Sequence, residues 1–154
     1  MRIPEVQPAD AIVVTSSAFD DGGTIPRDVT CRGAGKPPAV SWRGVPDGTA
    51  SLALVVSDPD APKGPFVHWI VSGLPPVDGD LAEGRLPAGA SESDNSAGKR
   101  GWYPPCPPSG RHRYRFTIYA LDGDPAGRST QDLLDDIGRK ARASGTLTGL
   151  VAAG

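Results

Sequence analysis

The chain of 154 residues has little with which to cross a membrane or grip a nucleic acid. Its longest apolar stretches, Leu52 to Val56 and Val67 to Val71, are far too short to span a bilayer. It has no run of like charges, and its formal net charge is −2. The basic patch or stripe that a nucleic-acid surface needs is therefore missing. The N-terminus, Met1-Arg2-Ile3-Pro4-Glu5, has no apolar signal region, so the expected compartment is the cytoplasm. Histidine and cysteine are scarce, two of each. Cys31 and Cys106 stand far apart, with neither CxxC nor Cys/His ligand spacing. They read as free thiols in a reducing compartment, and four ligands for a structural zinc ion cannot be found. No metal and no cofactor are expected. There is no internal repeat, and the length fits one domain over residues 1–154 with one core.

Glycine and proline, by contrast, are abundant, at 20 and 17 residues. They sit between short apolar runs, which is the pattern of an all-β domain with many turns. Ile12-Val13-Val14-Thr15 and Ala39-Val40-Ser41-Trp42 read as strands. Ser51 to Val56 is the strongest apolar run and should be a central strand, buried on both faces. It stops at Ser57-Asp58-Pro59-Asp60-Ala61-Pro62, where two prolines forbid ladder pairing. Phe66 to Val71 is a further buried strand. Strict alternation would put Phe66, His68 and Ile70 on one face and Val67, Trp69 and Val71 on the other. Arg113 to Ala120 also alternates, with Tyr114, Phe116, Ile118 and Ala120 together. Pro75 to Gly101 is long, polar and glycine-rich, as functional or mobile loops are.

One segment reads as a helix. Ser129 or Thr130 caps it, with Asp132 as a capping-box-like partner. Leu133, Leu134, Ile137 and Ala141 make an apolar stripe at helical spacing. Gly138 weakens the helix and Gly145 ends it. The fold class is thus mainly β: a β-sandwich with one C-terminal helix packed on it.

The residues able to carry chemistry are few. Asp58-Pro59-Asp60 places two carboxylates in one rigid turn. His68 sits in an apolar strand and His112 at the entry to another. Buried polar groups must find partners, and histidine is easily poised between charge states near neutrality. Tyr103 to Gly110 is dense in proline, and between Pro104 and Gly110 only Cys106, Ser109 and Gly110 keep a backbone N–H. Such a loop can form a cavity wall at little entropic cost, or dock a partner.

In combination these segments resemble the phosphatidylethanolamine-binding protein family, the Raf-kinase-inhibitor-like group, and its short bacterial branch in particular. The resemblance rests on Asp58-Pro59-Asp60-Ala61-Pro62, on Val67-His68-Trp69, and on Tyr103-x-Pro105-Cys106-Pro107-Pro108-x-Gly110-x-His112-Arg113-Tyr114. Weaker agreement runs through Phe19-Asp20-Asp21-Gly22-Gly23-x-Ile25-Pro26, Thr30-Cys31, Gly33, Pro37-Pro38 and Trp42. It implies a Greek-key-like antiparallel β-sandwich with a small pocket at one end. Asp58, Asp60, His68, His112, Tyr114 and the Pro107-Pro108 loop would line the pocket, with Phe66 beside His68. It also implies a cis bond before Pro62. Two departures stand out: Pro104 replaces a usual glycine, and the stretch from Thr146 to Gly154 carries no aromatic residue.

The resemblance implies a binding protein for a small anion, a phosphorylated ligand or a lipid head group, with a regulatory use. Kinase control in eukaryotic relatives uses surface contacts, which pocket motifs do not carry. Carboxylates should repel phosphate, so the histidines are the expected donors, with Asp60 orienting one of them. Alternatively a carboxylate meets the ammonium of an ethanolamine head group, or a protonated Asp donates. The other reading is a small enzyme, a hydrolase, isomerase or cyclase, with His68, Asp58, Asp60 and Cys106 as acid, base or nucleophile. The proline-rich loop leaves a protein partner open, and scattered apolar residues point to a homodimer.

Overall fold

The computed structural model describes all of residues 1–154. Eight strands and one α-helix follow in the order β1 (Val13–Thr15), β2 (Val40–Arg43), β3 (Ser51–Asp58), β4 (Phe66–Leu74), β5 (Gly79–Leu81), β6 (Ser91–Glu92), β7 (Arg111–Leu121), α1 (Thr130–Lys140) and β8 (Ala141–Ala152). The strands form a three-stranded sheet, β1-β2-β5, and a five-stranded sheet, β6-β4-β3-β7-β8. All strand pairs within them are antiparallel.

The arrangement has three layers, and β3 lies at the centre of the middle one. Leu52, Leu54 and Val56 pack with Tyr114, Phe116 and Ile118 against Val14, Val40, Trp42 and Leu81 of the small sheet. The opposite face carries Ala53, Val55, Val67, Ile70 and Tyr119, covered by Leu133, Leu134 and Ile137 of α1. Every residue of β3 is buried, as a continuous apolar run implies. The helix starts where the sequence places it, with the Ser129 side chain accepting from the Asp132 N–H at 3.0 Å.

Four expectations need correction. The first concerns β4, whose alternation is broken. Val56 pairs with Trp69 while Ser57 pairs with Val67, so His68 is an extra, bulged residue. Val67 and Ile70 consequently share the helix side, while Trp69 and Val71 share the inter-sheet core. Second, Gly145 does not end the helix. The helix stops at Lys140, and the chain enters a twelve-residue strand at once. The inward positions of that strand include Gly145 and Gly149 because other groups occupy the space a side chain would need. A Cβ at Gly145 would fall inside the carbonyl of Ile12, and one at Gly149 would meet Ile25 and Phe19. Gly145→Ala is therefore expected to cost about 3 kcal/mol by overpacking against backbone, measured by denaturant unfolding. A loss within experimental error would mean that residues 8–14 do not lie against β8.

Third, Cys31 and Cys106 are not free thiols: they form a disulfide with Cα atoms 5.5 Å apart. The argument for a reducing compartment falls with them. Fourth, the cis bond in the chain is Gln7–Pro8, and Ala61–Pro62 is trans. The Gly64 N–H closes a turn onto the Ala61 carbonyl at 3.1 Å. This puts Pro62 in the second position of the turn, where trans proline fits, whereas cis proline belongs one place later.

The stretch from Pro75 to Gly101 supplies β5 to the small sheet and β6 to the large one. No helix of the chain is long and apolar enough to cross a membrane.

Candidate functional site: an end pocket with two histidines

A cavity of about 170 Å³ opens where β3, β4 and β7 reach one end of the large sheet. Asp58 comes from the end of β3, Phe66 and His68 from β4, and His112 and Tyr114 from β7. The turn residues Ala61 and Pro62 and the loop residues Tyr103, Cys106, Pro107 and Pro108 complete the wall. A water's share of liquid volume is roughly 30 Å³, so the space suits a phosphate or acetate rather than a drug-sized molecule. A larger open depression of about 420 Å³ lies elsewhere, beside Pro37 and Pro38. None of the candidate residues read from the sequence reaches it.

The bulge in β4 is what builds the first half of the site. It turns the His68 side chain toward the end of the sheet, where its ring meets Phe66 at 4.8 Å and, edge-on, Tyr114 at 5.2 Å. His68 and Tyr103 are tied twice. The Tyr103 N–H donates to the His68 carbonyl at 2.9 Å. The His68 Nδ1–H donates to the Tyr103 carbonyl at 2.6 Å. A carbonyl can only accept, so Nδ1 carries the hydrogen and Nε2 of the neutral ring has a free lone pair. Burial pushes the His68 pKa down, against smaller opposing effects of the Tyr103 carbonyl and Asp58.

The sign of the resulting pH dependence follows. Unfolded His68 takes up a proton near pH 6.5, while the folded chain resists it, so the unfolded state binds more protons below that pH. His68 therefore subtracts stability as pH falls below about 6.5. Replacing it by Asn is expected to flatten the stability-against-pH curve between about pH 5 and 7, measured by urea unfolding. An unchanged slope would mean that His68 is not held neutral.

The second half of the site is a carboxylate–imidazole pair. Asp58 lies at the last position of β3 and is 3 % exposed. Its Oδ1 accepts from the Asp60 N–H at 2.8 Å, which closes the turn through Pro59. Its Oδ2 faces His112 Nδ1 at 2.6 Å. Both partners are almost sealed from solvent. The pair leaves Nε2 as the free nitrogen of His112. The Tyr114 hydroxyl is held in its protonated form by burial first and by the Asp58 charge second.

Asp60, expected in the pocket, is not part of its lining. It faces Arg113 instead. Its two oxygens accept from the Arg113 backbone N–H at 2.8 Å, Nε at 3.0 Å and Nη2 at 2.8 Å. The arginine hydrogen bonds hold its pKa at about 2. The histidine-orienting acid is thus Asp58. Asp60 lost that place to chain direction, since Arg113 points outward from β7 and offers a charged fork that binds a carboxylate bidentately. All other expected binding residues, Asp58, Phe66, His68, Pro107, Pro108, His112 and Tyr114, do line one cavity.

Cys106 also lines it, as half of the disulfide rather than as a thiol. A bridged sulfur has no thiolate, so Cys106 cannot act as a nucleophile in this form of the chain. The bridge, with a Cys31 N–H to Pro105 carbonyl bond at 3.1 Å, fastens the proline-rich wall to the segment around Thr30. Pro104 stands behind that wall: it is not in the lining and packs on Gly35, whose φ is +69°.

Sequence reasoning missed two contributions. The Tyr103 carbonyl sets the His68 tautomer, but a backbone acceptor leaves no trace in residue type. Arg113 as the partner of Asp60 was visible only as a charged residue on the outward face of an alternating strand.

A two-sheet antiparallel domain with a helix on one face and a small acid- and histidine-lined end pocket defines a class of β-sandwich. The sequence model of the phosphatidylethanolamine-binding protein family matches residues 15–152, and the chain belongs to that family. It is 41% identical over 150 residues to a Mycobacterium tuberculosis protein that carries the name lipoprotein LppC. That match covers 92% of this chain and 74% of LppC. The crystal structure of CT736 from Chlamydia trachomatis, described as a phosphatidylethanolamine-binding protein homologue, superposes with a TM-score of 0.85 at 38% identity. It covers 95% of this chain and 100% of CT736. E. coli YbcL, described as a new member of the mammalian family, superposes with a TM-score of 0.86 at 28% identity, covering 94% of this chain and 99% of YbcL.

Proposed function

We propose that the chain is a binding protein whose end pocket takes a small anion or the phosphorylated head of a larger ligand. The observation that carries this reading is the pair of buried histidines on one small cavity, each with Nδ1 engaged and Nε2 without a protein partner. Free ring nitrogens at that depth need a ligand or water to bond. The cavity volume favours a phosphate-sized group, and aromatic rings of Phe66 and Tyr103, 5.5 Å apart, offer an apolar rim for whatever the group is attached to. The disulfide removes Cys106 as a thiol nucleophile, which favours binding over thiol-based covalent catalysis.

The same bridge favours an oxidising compartment over the cytoplasm that the N-terminus suggested. The name of the mycobacterial relative points the same way. Alkylation trapping in intact cells checks this: Cys31 and Cys106 should resist the reagent until a reductant is added.

Ligand-induced stabilisation tests the binding reading. A ligand that binds only the folded state at 100 times its Kd adds about 2.7 kcal/mol. Phosphate and phosphoethanolamine are expected to raise the melting temperature of the native chain and not of His68→Ala. Equal shifts in both would remove His68 from the site.

A further inference from the structure

We propose that this pocket selects oxyanions that bring a hydrogen-bond donor of their own, an acidic P–OH or an attached ammonium, and rejects those that bring none. The inference rests on the small-anion reading above and names the class of anion.

The tautomers decide the matter. His68 Nδ1 must carry hydrogen, because the Tyr103 carbonyl 2.6 Å away has none to give. Its Nε2 is therefore a bare lone pair whenever the ring is neutral. His68 is 4% exposed, and no Lys or Arg lines the cavity to help it carry an anion. Arg113, between the lining residues His112 and Tyr114 in sequence, is already engaged by both oxygens of Asp60. Burial lowers the His68 pKa and so disfavours a charge on the ring.

His112 cannot make up the missing charge. The Asp58 carboxylate lies 2.6 Å from its Nδ1 and faces that ring rather than the cavity's ligand space. The pocket thus offers the Nε2 atoms of His68 and His112 to a ligand, with no Lys or Arg in its lining. Neither Nε2 has a protein partner, and neither is among the sealed, unsatisfied polar atoms of the chain.

An oxyanion without hydrogen must set a lone pair against the lone pair of His68, or force a proton onto a buried ring. One with a P–OH donates to His68 Nε2. An ethanolamine ammonium can make the same donation while its phosphodiester accepts. Sites built to satisfy a ligand hydrogen reject analogues that lack it, because buried polar groups are then left unpaired.

Calorimetric titration at about pH 6, where phosphomonoesters retain a P–OH in good proportion, compares five probes at constant ionic strength. Phosphate has a P–OH, glycerophosphoethanolamine has only the ammonium, and phosphoethanolamine has both. Sulfate and dimethyl phosphate have neither. Sulfate and dimethyl phosphate are expected to bind at least about tenfold more weakly than phosphate. Phosphate and glycerophosphoethanolamine show which donor source is used. His68→Asn keeps an N–H for the Tyr103 carbonyl but is too short to place an acceptor at the Nε2 position, so it should narrow the gap; its melting curve reports that it folds. Sulfate and dimethyl phosphate binding the native chain as tightly as phosphate, or a gap that survives in folded His68→Asn, overturns the selectivity and leaves the small-anion reading standing. Failure of all five probes to bind overturns both.

Discussion

Breaking the Cys31–Cys106 bridge is expected to destabilise the chain by about 4 kcal/mol. The bridge joins residues 75 apart in sequence, so it closes a long loop in the unfolded state. Chain entropy then gives a contribution between those of short and hundred-residue loops. Both cysteines are exposed, so a reductant reaches the bond without unfolding the core. For a domain of this size the melting temperature should fall by roughly 10 °C. The local effect is as important. The wall from Tyr103 to Pro108 is held to the body by the bridge, by the Cys31 N–H bond to Pro105, and by the double tie of Tyr103 to His68. Without the bridge the wall should loosen at Cys106 while the Tyr103 end stays docked. Thermal unfolding of the native chain with and without reductant, beside the Cys31→Ser, Cys106→Ser double variant, checks this. A melting temperature unmoved by reductant would mean that the bridge does not form.

His112→Ala is expected to cost about 3–5 kcal/mol, because it strips the buried Asp58 carboxylate of its histidine partner. Asp58 would be left with an unpaired carboxylate oxygen at a position 3 % exposed. The contrast with Asp60 makes the prediction specific. Asp60 and Arg113 are geometrically ideal partners, yet the arginine side chain is 56 % exposed. Asp60→Asn should cost less than about 1 kcal/mol, as solvent-screened pairs do. Urea unfolding of the two variants measures both. Similar losses would mean that Asp60, and not only Asp58, has a buried structural role.

These predictions show where the sequence was legible. The central strand from Ser51, the alternation of Tyr114, Phe116, Ile118 and Ala120, and the helix capped by Ser129 are written in local patterns, and all appear in place. The site motifs also announced themselves, because both histidines fell inside them. What could not be read depends on neighbours distant in sequence. Gly145 looks like a helix terminator until Ile12 is seen against it. His68 looks like one face of an alternating strand until the register with β3 slips by one residue. Cys31 and Cys106 look like unrelated thiols until the fold sets them together. Asp58 and Asp60 are chemically the same residue in the same turn, and only the direction of each side chain assigns one to His112 and the other to Arg113.

The central claim is that two histidines with engaged Nδ1 atoms present Nε2 to a small anion. With two histidines in the chain, the ring ¹⁵N resonances give a spectrum free of overlap. The most direct measurement is a long-range ¹H–¹⁵N correlation of the imidazoles with and without phosphate. The account predicts protonated Nδ1 on His68 in the free chain, and a shift of Nε2 on both rings as phosphate is added. A free chain with His68 protonated at Nε2 instead, or phosphate binding that leaves both rings unmoved, would contradict it.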